Sequence, residues 1–163
     1  MWNTIEEFAQ WYVDNNFPLR PPFEDPVYVT DVSYSYVLFR EGQYQAELYL
    51  IKPNATSGEH SHPGAENIIM ALGGDLWPSR NGVETDMTEA HSRPSPIGTS
   101  LLFGAMDIKF DDTETHKLTT KAKGGALISF EKWPEGVKPT SLTVNWEGEA
   151  LGDYHASIIK KAV

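Results

Sequence analysis

Two histidines and a glutamate in one short stretch have the residue types and the spacing of a metal site. His60 and His62 lie two positions apart, so on an extended chain both imidazoles leave the same face. Glu66 follows at an even spacing, so its carboxylate can return to that face where the chain stays extended. Nitrogen and oxygen donors with open positions suit divalent Fe, Mn, Co, Ni or Zn. We therefore predict one divalent metal ion in this stretch.

The composition narrows the chemistry further. The chain has 163 residues, 5 histidines and no cysteine, so thiolate metal sites and cysteine nucleophiles are excluded. With 23 Asp and Glu against 13 Lys and Arg, the formal net charge is −10, which repels nucleic acid and anionic lipid. No apolar run approaches the roughly 18 residues of a membrane span, and the first residues do not have the pattern of a signal peptide. We expect a cytoplasmic protein with no nucleic-acid or membrane partner.

The amino-terminal residues predict a helix followed by an extended arm. Thr4 and Glu7 form a capping-box pair, and apolar residues recur behind them at helical spacing, which predicts a helix over residues 4–15. Four prolines follow up to Pro26, and they favour an extended arm over further helix. We assign residues 1–27 to the helix and the arm.

From residue 28 the apolar pattern has a period of two, which predicts β-strands. Glu41-Gly42 is the predicted hairpin turn, and many short strands between Gly, Pro, Asn and Asp clusters favour an antiparallel sandwich or barrel. Residues 75–98 lack clear periodicity and are predicted to form a hairpin or lid between strands. A short helix is predicted at residues 154–161. The later predicted strands cover residues 67–72, 100–103, 106–110, 116–121 and 126–133.

The stretch that contains the two histidines resembles the first motif of the cupin superfamily. That motif reads His-x-His, three or four residues, Glu, six residues, Gly. His60, His62, Glu66 and Gly73 match it with both gaps. The family pattern also has a Gly about six residues before the first His; Asn54 stands there, and Asn also tolerates left-handed turn geometry.

The resemblance covers residues 28–133 and implies an all-β fold, a cupin-type antiparallel β-barrel of the jelly-roll kind. The expected organisation is one domain over residues 1–163, with a short amino-terminal helix and an irregular carboxy-terminal extension over residues 134–163. Cupins commonly pair through amino-terminal strands and arms, so a homodimer is implied. The implied function is a metal-dependent enzyme with dioxygenase-type or isomerase/lyase-type chemistry on a small organic molecule. The alternative is a non-catalytic binding or sensor module, or a structural scaffold.

The family's second motif supplies a further histidine, and two registers compete for it. Counting from Gly98 puts Lys109 at the histidine position, where an ammonium group is a poor ligand. The other register uses His116 and requires residues 75–98 to be an insertion. We favour the second register. The predicted metal ligands are therefore His60, His62, Glu66 and His116.

Lewis-acid chemistry of this kind needs a nearby proton carrier. Polar residues alternate with apolar ones over residues 43–49, where they either line the pocket or form the wet face of a half-exposed sheet. His91 and Arg93 become candidates for substrate contact if their loop folds over the barrel mouth. A barrel-facing Lys109 would bind a substrate carboxylate or phosphate. The candidate catalytic residues are Glu47, Tyr49, His91 and Lys109.

Overall fold

The computed structural model describes residues 1–19, 28–29, 32–57, 59–61, 64–86, 107–110, 114–136 and 144–145. Within these residues, one helix and nine strands form the fold. Helix α1 spans Ile5–Asp14. The strands are β1 (Tyr28–Val29), β2 (Ser33–Glu41), β3 (Tyr44–Ile51), β4 (His60–Ser61), β5 (Glu66–Arg80), β6 (Val83–Glu84), β7 (Asp107–Phe110), β8 (His116–Lys132) and β9 (Val144–Asn145).

Helix α1 forms where the sequence predicts it. The Thr4 side chain caps the helix by accepting a hydrogen bond from the Glu7 backbone N–H at 3.2 Å, and Glu6 and Glu7 lie in the first turn, where negative charge is favourable. The helix ends before Asn16, whose φ of 60° is left-handed and incompatible with a further helical turn. The apolar side of α1 then packs on the sheet.

Two long strands, β5 and β8, each run through two layers of the fold. Residues 66–74 of β5 and 125–132 of β8 pair in a first layer, which also contains β2, β3 and β7, and residues 76–80 and 116–120 pair in a second layer. The strands bend at Gly74, whose φ is +90°, and a Cβ there would collide with the Gly124 carbonyl oxygen. Only glycine fits this bend.

The first layer has two buried faces with different compositions. The helix face packs against α1, and the inner face is continuous with the apolar side of the second layer. The helix face contains Phe39, Tyr44, Ala46, Ile68, Met70, Ile128 and Phe130. The apolar part of the inner face contains Ile51, Ile69, Ala71 and Leu127, which cluster with Leu76 and Leu118 of the second layer.

Two parts of the chain differ from the sequence prediction. Residues 75–80 continue β5 instead of following it as a separate inserted element, because Leu76 is fully buried against the inner face. Residues 79–80 then pair with 83–84 in a hairpin, which is one of the two forms predicted for residues 75–98. The tight turn at Asn81-Gly82, with φ of 48° and 79°, then leads into β6. In the extension that was predicted to be irregular, β9 pairs with β4.

The described part of the chain is mostly antiparallel β-sheet with one short amino-terminal helix, and for that part the sequence prediction of the fold class is confirmed. The described strands follow one path from β1 to β9, with β5, β6 and β7 branching from it, and this path does not close into a complete barrel. The predicted strand at 100–103 and the predicted helix at 154–161 lie outside the described residues. No helix in the part of the chain that the structure describes is long and apolar enough to cross a membrane.

Candidate metal centre and the buried carboxylates

The structure places His60 and His116 directly opposite one another. They are Cα partners in the antiparallel pairing of β4 with β8. His116 is only 2% exposed. It lies two residues before Leu118 on the same strand, so both side chains are on the inner side of the second layer. The structure describes the backbone of His60, and His62 lies outside the described residues.

Hydrogen bonds along β8 hold the segment that precedes His60. Ser57 and Leu118 exchange two of them: the Ser57 N–H donates to the Leu118 carbonyl at 2.9 Å, and the Leu118 N–H donates to Ser57 Oγ at 3.0 Å. The Thr115 hydroxyl donates to the Glu59 carboxylate at 2.7 Å. Because these contacts lie on both sides of the His60 and His116 pair, they fix its register.

Glu66 lies on the helix face. It is the Cα partner of Lys132 at the far end of β8, and strand alternation places it with Ile68 and Met70, which pack against α1. Gly64, with φ of 75°, turns the chain two residues before Glu66. The structure therefore does not bring Glu66 to the inner side that carries His116.

The surroundings of Tyr44 agree with this position of Glu66. Burial raises the pKa of the Tyr44 hydroxyl, and the negative charges of Glu7 and Glu66 raise it further. Glu7 belongs to α1, so Glu66 acts on the same phenol as a helix residue.

The other candidate residues have different positions. Lys109, described by its backbone, is the Cα partner of Ile68 in the pairing of β5 with β7 and lies outside the His60 and His116 register. Tyr49 is half-buried and packs against the apolar part of the inner face. His91 and Arg93 lie outside the described residues.

Buried carboxylates occupy the polar part of the inner face. Glu47 is 0% exposed and Glu131 is 1% exposed. The Gln45 side-chain amide donates to both, at 3.3 Å to Glu47 and 3.2 Å to Glu131. We call Gln45, Glu47 and Glu131 the carboxylate cluster. Because Gln45 and Glu47 are completely buried, they do not form a wet face.

Neighbouring side chains complete the hydrogen bonding of the carboxylate cluster. The Ser35 hydroxyl donates to Glu47 at 2.7 Å, and the Trp133 indole N–H donates to Glu131 at 3.0 Å. The half-buried Arg40 donates through Nε to the side-chain oxygen Oε1 of Gln45 at 2.7 Å. The cluster thus contains two carboxyl groups and has one guanidinium group at its edge.

Glu131 is well suited to hold a proton. Burial raises its pKa well above the ordinary value, and the negative charge of Glu47 raises it further, against smaller opposing effects of Trp133, Arg40 and Ser129. Sequence reasoning missed Glu131. The available signal was one acidic residue at the alternating position of Leu127 and Ser129, within the mostly apolar stretch 126–133.

Two further observations limit the site. Among the residues whose side chains the structure describes, no three histidine, aspartate or glutamate groups converge as metal ligands.

A surface depression of about 480 Å³ lies at the bend of β5 and β8, where Gly73, Gly74 and Gly125 line it together with Lys52 and Lys123. It contains none of the predicted site residues.

Comparison with solved structures shows that this layered arrangement of strands is similar to the fold of cupin proteins. The structure of KdgF from Halomonas sp. has a TM-score of 0.51 at 9% identity, covering 71% of this chain and 89% of that one. An RmlC-like cupin from Shewanella frigidimarina NCIMB 400 has a TM-score of 0.50 at 14% identity, with 72% and 87% covered.

DMSP lyase DddQ from Ruegeria pomeroyi DSS-3 has a TM-score of 0.51 at 16% identity, covering 73% of this chain and 54% of DddQ. No family model matches the sequence, and no curated protein matches it. The likeness to solved structures therefore shows that this chain has the cupin fold.

Proposed function

We propose that this protein is a metal-dependent cupin enzyme that acts on a small organic molecule. The reaction belongs to the dioxygenase type or to the isomerase/lyase type at a divalent metal. The observation that carries the proposal is the cross-strand register of His60 with His116. It joins the His-x-His motif to a buried third histidine.

The proposed ligands are His60, His62 and His116, and their donor chemistry fits a transition metal. Directly opposed residues of an antiparallel pair have Cβ atoms about 4.5–5.5 Å apart, so two imidazoles at such positions can share one ion. Imidazole nitrogen suits Fe, Ni, Co and Zn, and Mn accepts a mixed nitrogen and oxygen set. The bound ion would act as a Lewis acid on the substrate. Glu66 is not in the proposed set because it shares the helix face with Ile68.

The carboxylate cluster supplies the proposed proton carriers. Burial beside Glu47 raises the pKa of Glu131 well above the ordinary value, so Glu131 favours its protonated form, and a general acid needs a group that carries a proton. The Gln45 amide donates to both carboxyl groups, so it stabilises the negative charge on whichever group has released its proton. Among the sequence candidates, Glu47 is the one for which the structure gives this support.

Elemental analysis of the purified protein tests the proposal. We expect one Fe, Mn, Co, Ni or Zn ion per chain, or recovery of one by metal-free protein together with a rise in thermal stability. His116→Ala should weaken metal affinity by about tenfold or more, because it removes a residue that binds the metal directly. Substituting residues that only support a ligand already lowers metal affinity by about 10–100-fold.

Two matched variants control this experiment. Lys117→Ala changes the neighbouring residue of β8, and Lys109→Ala changes the residue of the competing register; both should retain metal affinity. Failure of all five ions to bind or to stabilise the protein would contradict the proposal. A larger loss in Lys109→Ala than in His116→Ala would show that the register counted from Gly98 is correct.

We also propose a homodimeric, cytoplasmic protein. Leu19, which precedes most of the predicted arm, is 64% exposed, and an exposed apolar residue at this position can pack on a second copy. Light scattering on a size-exclusion column should give twice the mass of one chain. A monomer at micromolar concentration would contradict the dimer, and recovery in a membrane or exported fraction would contradict the location.

A further inference from the structure

Arg80 faces His116 on the side opposite to His60. Arg80 and His116 are Cα partners in the pairing of β5 with β8, while His60 is the partner of His116 in the pairing of β4 with β8. The three residues therefore form one row across three strands. Neighbouring strands lie about 4.8 Å apart, so the Arg80 guanidinium can reach the edge of the proposed metal site.

Arg80 lies on the same side of the sheet as His116. Residues 76–80 pair with 116–120 without a register shift, so alternation places Arg80 with Leu76 and His116 with Leu118. Leu76 and Leu118 are both in the apolar cluster of the inner face. His116 is 2% exposed, whereas the side chain of Arg80 is 42% exposed, so Arg80 forms the accessible end of the row.

Neighbouring groups hold the position and orientation of Arg80. Its Nε lies 3.2 Å from Oε2 of Glu114. The next residue, Asn81, donates through its N–H to the Thr115 carbonyl at 2.8 Å and accepts from the Thr115 N–H at 3.1 Å. A guanidinium oriented through Nε can direct its two Nη groups side by side, and that fork matches the two oxygens of a carboxylate.

The charge of the protein makes this position selective. The formal net charge is −10, so an anion is repelled unless a cation lies at the point of binding. The planar guanidinium fork matches the two oxygens of a planar carboxylate group. We infer that Arg80 binds a carboxylate group of the substrate, which makes the substrate a small organic acid. This inference deepens the proposed function and rests on it for the identity of the site.

Anion titration followed by NMR tests the inference. The probes are malonate and its uncharged analogue malonamide, added to dialysed metal-free protein, and the signal is the Nε–H resonance of Arg80, assigned by its loss in Arg80→Gln. Malonate should shift this resonance saturably and malonamide should not. Amide signals of Thr115 and His116 report binding in the variants. Affinity should fall by about tenfold or more in Arg80→Gln, since the variant loses the charge-assisted hydrogen bonds to the carboxylate.

Two further variants make the result specific. Arg80→Lys keeps the charge without the fork and should give an intermediate affinity, and circular dichroism of both Arg80 variants checks that they fold. Lys117→Gln removes one positive charge from the opposite side of the same strand and should bind malonate like the unmodified protein. The inference is overturned if Arg80→Gln and Lys117→Gln bind malonate equally, or if malonamide or inorganic phosphate binds as tightly as malonate.

Repeating the titration on Zn-loaded protein separates the inference from the proposed function. If zinc uptake depends on His116 but malonate binding does not depend on Arg80, the proposed metal site is supported and the binding of a carboxylate by Arg80, the carboxylate anchor, is rejected. Malonate binding that depends on Arg80 in a protein that takes up no metal rejects the metal site and retains the anchor.

Discussion

The helix face and the inner face of the first layer are buried to the same extent but are stabilised by different interactions. On β3, Tyr44 and Ala46 of the helix face are 1% and 0% exposed, and Gln45 and Glu47 of the inner face are both 0% exposed. The helix face packs aromatic rings, such as Phe8 against Phe130 with centroids 5.8 Å apart. The inner face instead holds buried polar groups that are joined by individual hydrogen bonds, such as that from Ser35 to Glu47 at 2.7 Å.

The difference separates residues that stabilise the fold from residues that are available for chemistry. Close-packed apolar groups gain stability from burial itself. A buried carboxyl pair costs desolvation energy and is weak support for stability, and perturbed carboxyl groups cluster at functional sites. We therefore expect substitutions on the helix face to change stability, and those on the inner face to change protonation and ligand binding.

Phe8→Ala should have the largest effect on stability. Phe8 is fully buried and contacts rings from α1, β2, β3 and β8, so its removal leaves a cavity that costs about 3–5 kcal/mol of unfolding free energy. Urea unfolding followed by circular dichroism measures this. Gln10→Ala on the exposed side of α1 should cost about 0.5 kcal/mol or less. Equal losses in the two variants would mean that the helix does not pack as described.

Ser35→Ala should cost less than Phe8→Ala although its partner is equally buried. The substitution removes the 2.7 Å hydrogen bond to Glu47, and a hydrogen bond to a buried charged group is worth about 1.5–3 kcal/mol. A double-mutant cycle with Glu47→Gln isolates this interaction, because the loss should shrink once Glu47 is uncharged. Strictly additive losses would show that Ser35 and Glu47 do not interact energetically.

Glu131→Gln should change the pH dependence of stability. Since burial beside Glu47 raises the folded-state pKa of Glu131, the folded state holds a proton that the unfolded state releases above about pH 4.3. Stability is fully present below that pH and falls as pH rises through the raised pKa, at up to about 1.4 kcal/mol per pH unit.

Urea unfolding between pH 4.5 and 8 measures that slope. Glu131→Gln keeps the acceptor for Trp133 and should flatten the decline, whereas Glu135→Gln, which removes an exposed carboxyl group, should follow the unmodified protein. The same slope in all three proteins would mean that Glu131 is ionised in the fold.

The sequence predicts the helix face and the type of fold better than it predicts the site. Local signals define α1, since Thr4 and Glu7 mark its start, and alternation identifies β3. The continuation of β5 through residues 75–80 was missed because Gly74 and Pro78 resemble a loop in sequence, whereas tertiary packing of Leu76 makes the segment a strand. Glu131 was missed for a related reason, because its importance depends on its neighbour Glu47, which is far away in sequence.

Glu66→Gln should have the smallest effect of these substitutions, and it tests directly whether Glu66 lies on the helix face or on the inner face. On the helix face, Glu66→Gln removes one of the two negative charges that raise the pKa of Tyr44, so that pKa should fall towards its ordinary value while metal affinity changes by less than about threefold, which is about 0.6 kcal/mol. Tyrosine NMR and metal titration measure the two quantities on the same samples. Glu7→Gln is the matched control, because it removes the other charge near Tyr44 from α1 and should likewise leave metal affinity unchanged.

If metal affinity falls in Glu66→Gln as far as in His116→Ala, then Glu66 is a ligand on the inner side, as the even spacing from His62 first predicted. If only the Tyr44 pKa moves, Glu66 lies on the helix face beside Tyr44 and is not a metal ligand, and the left-handed turn at Gly64 is the local reason for this position.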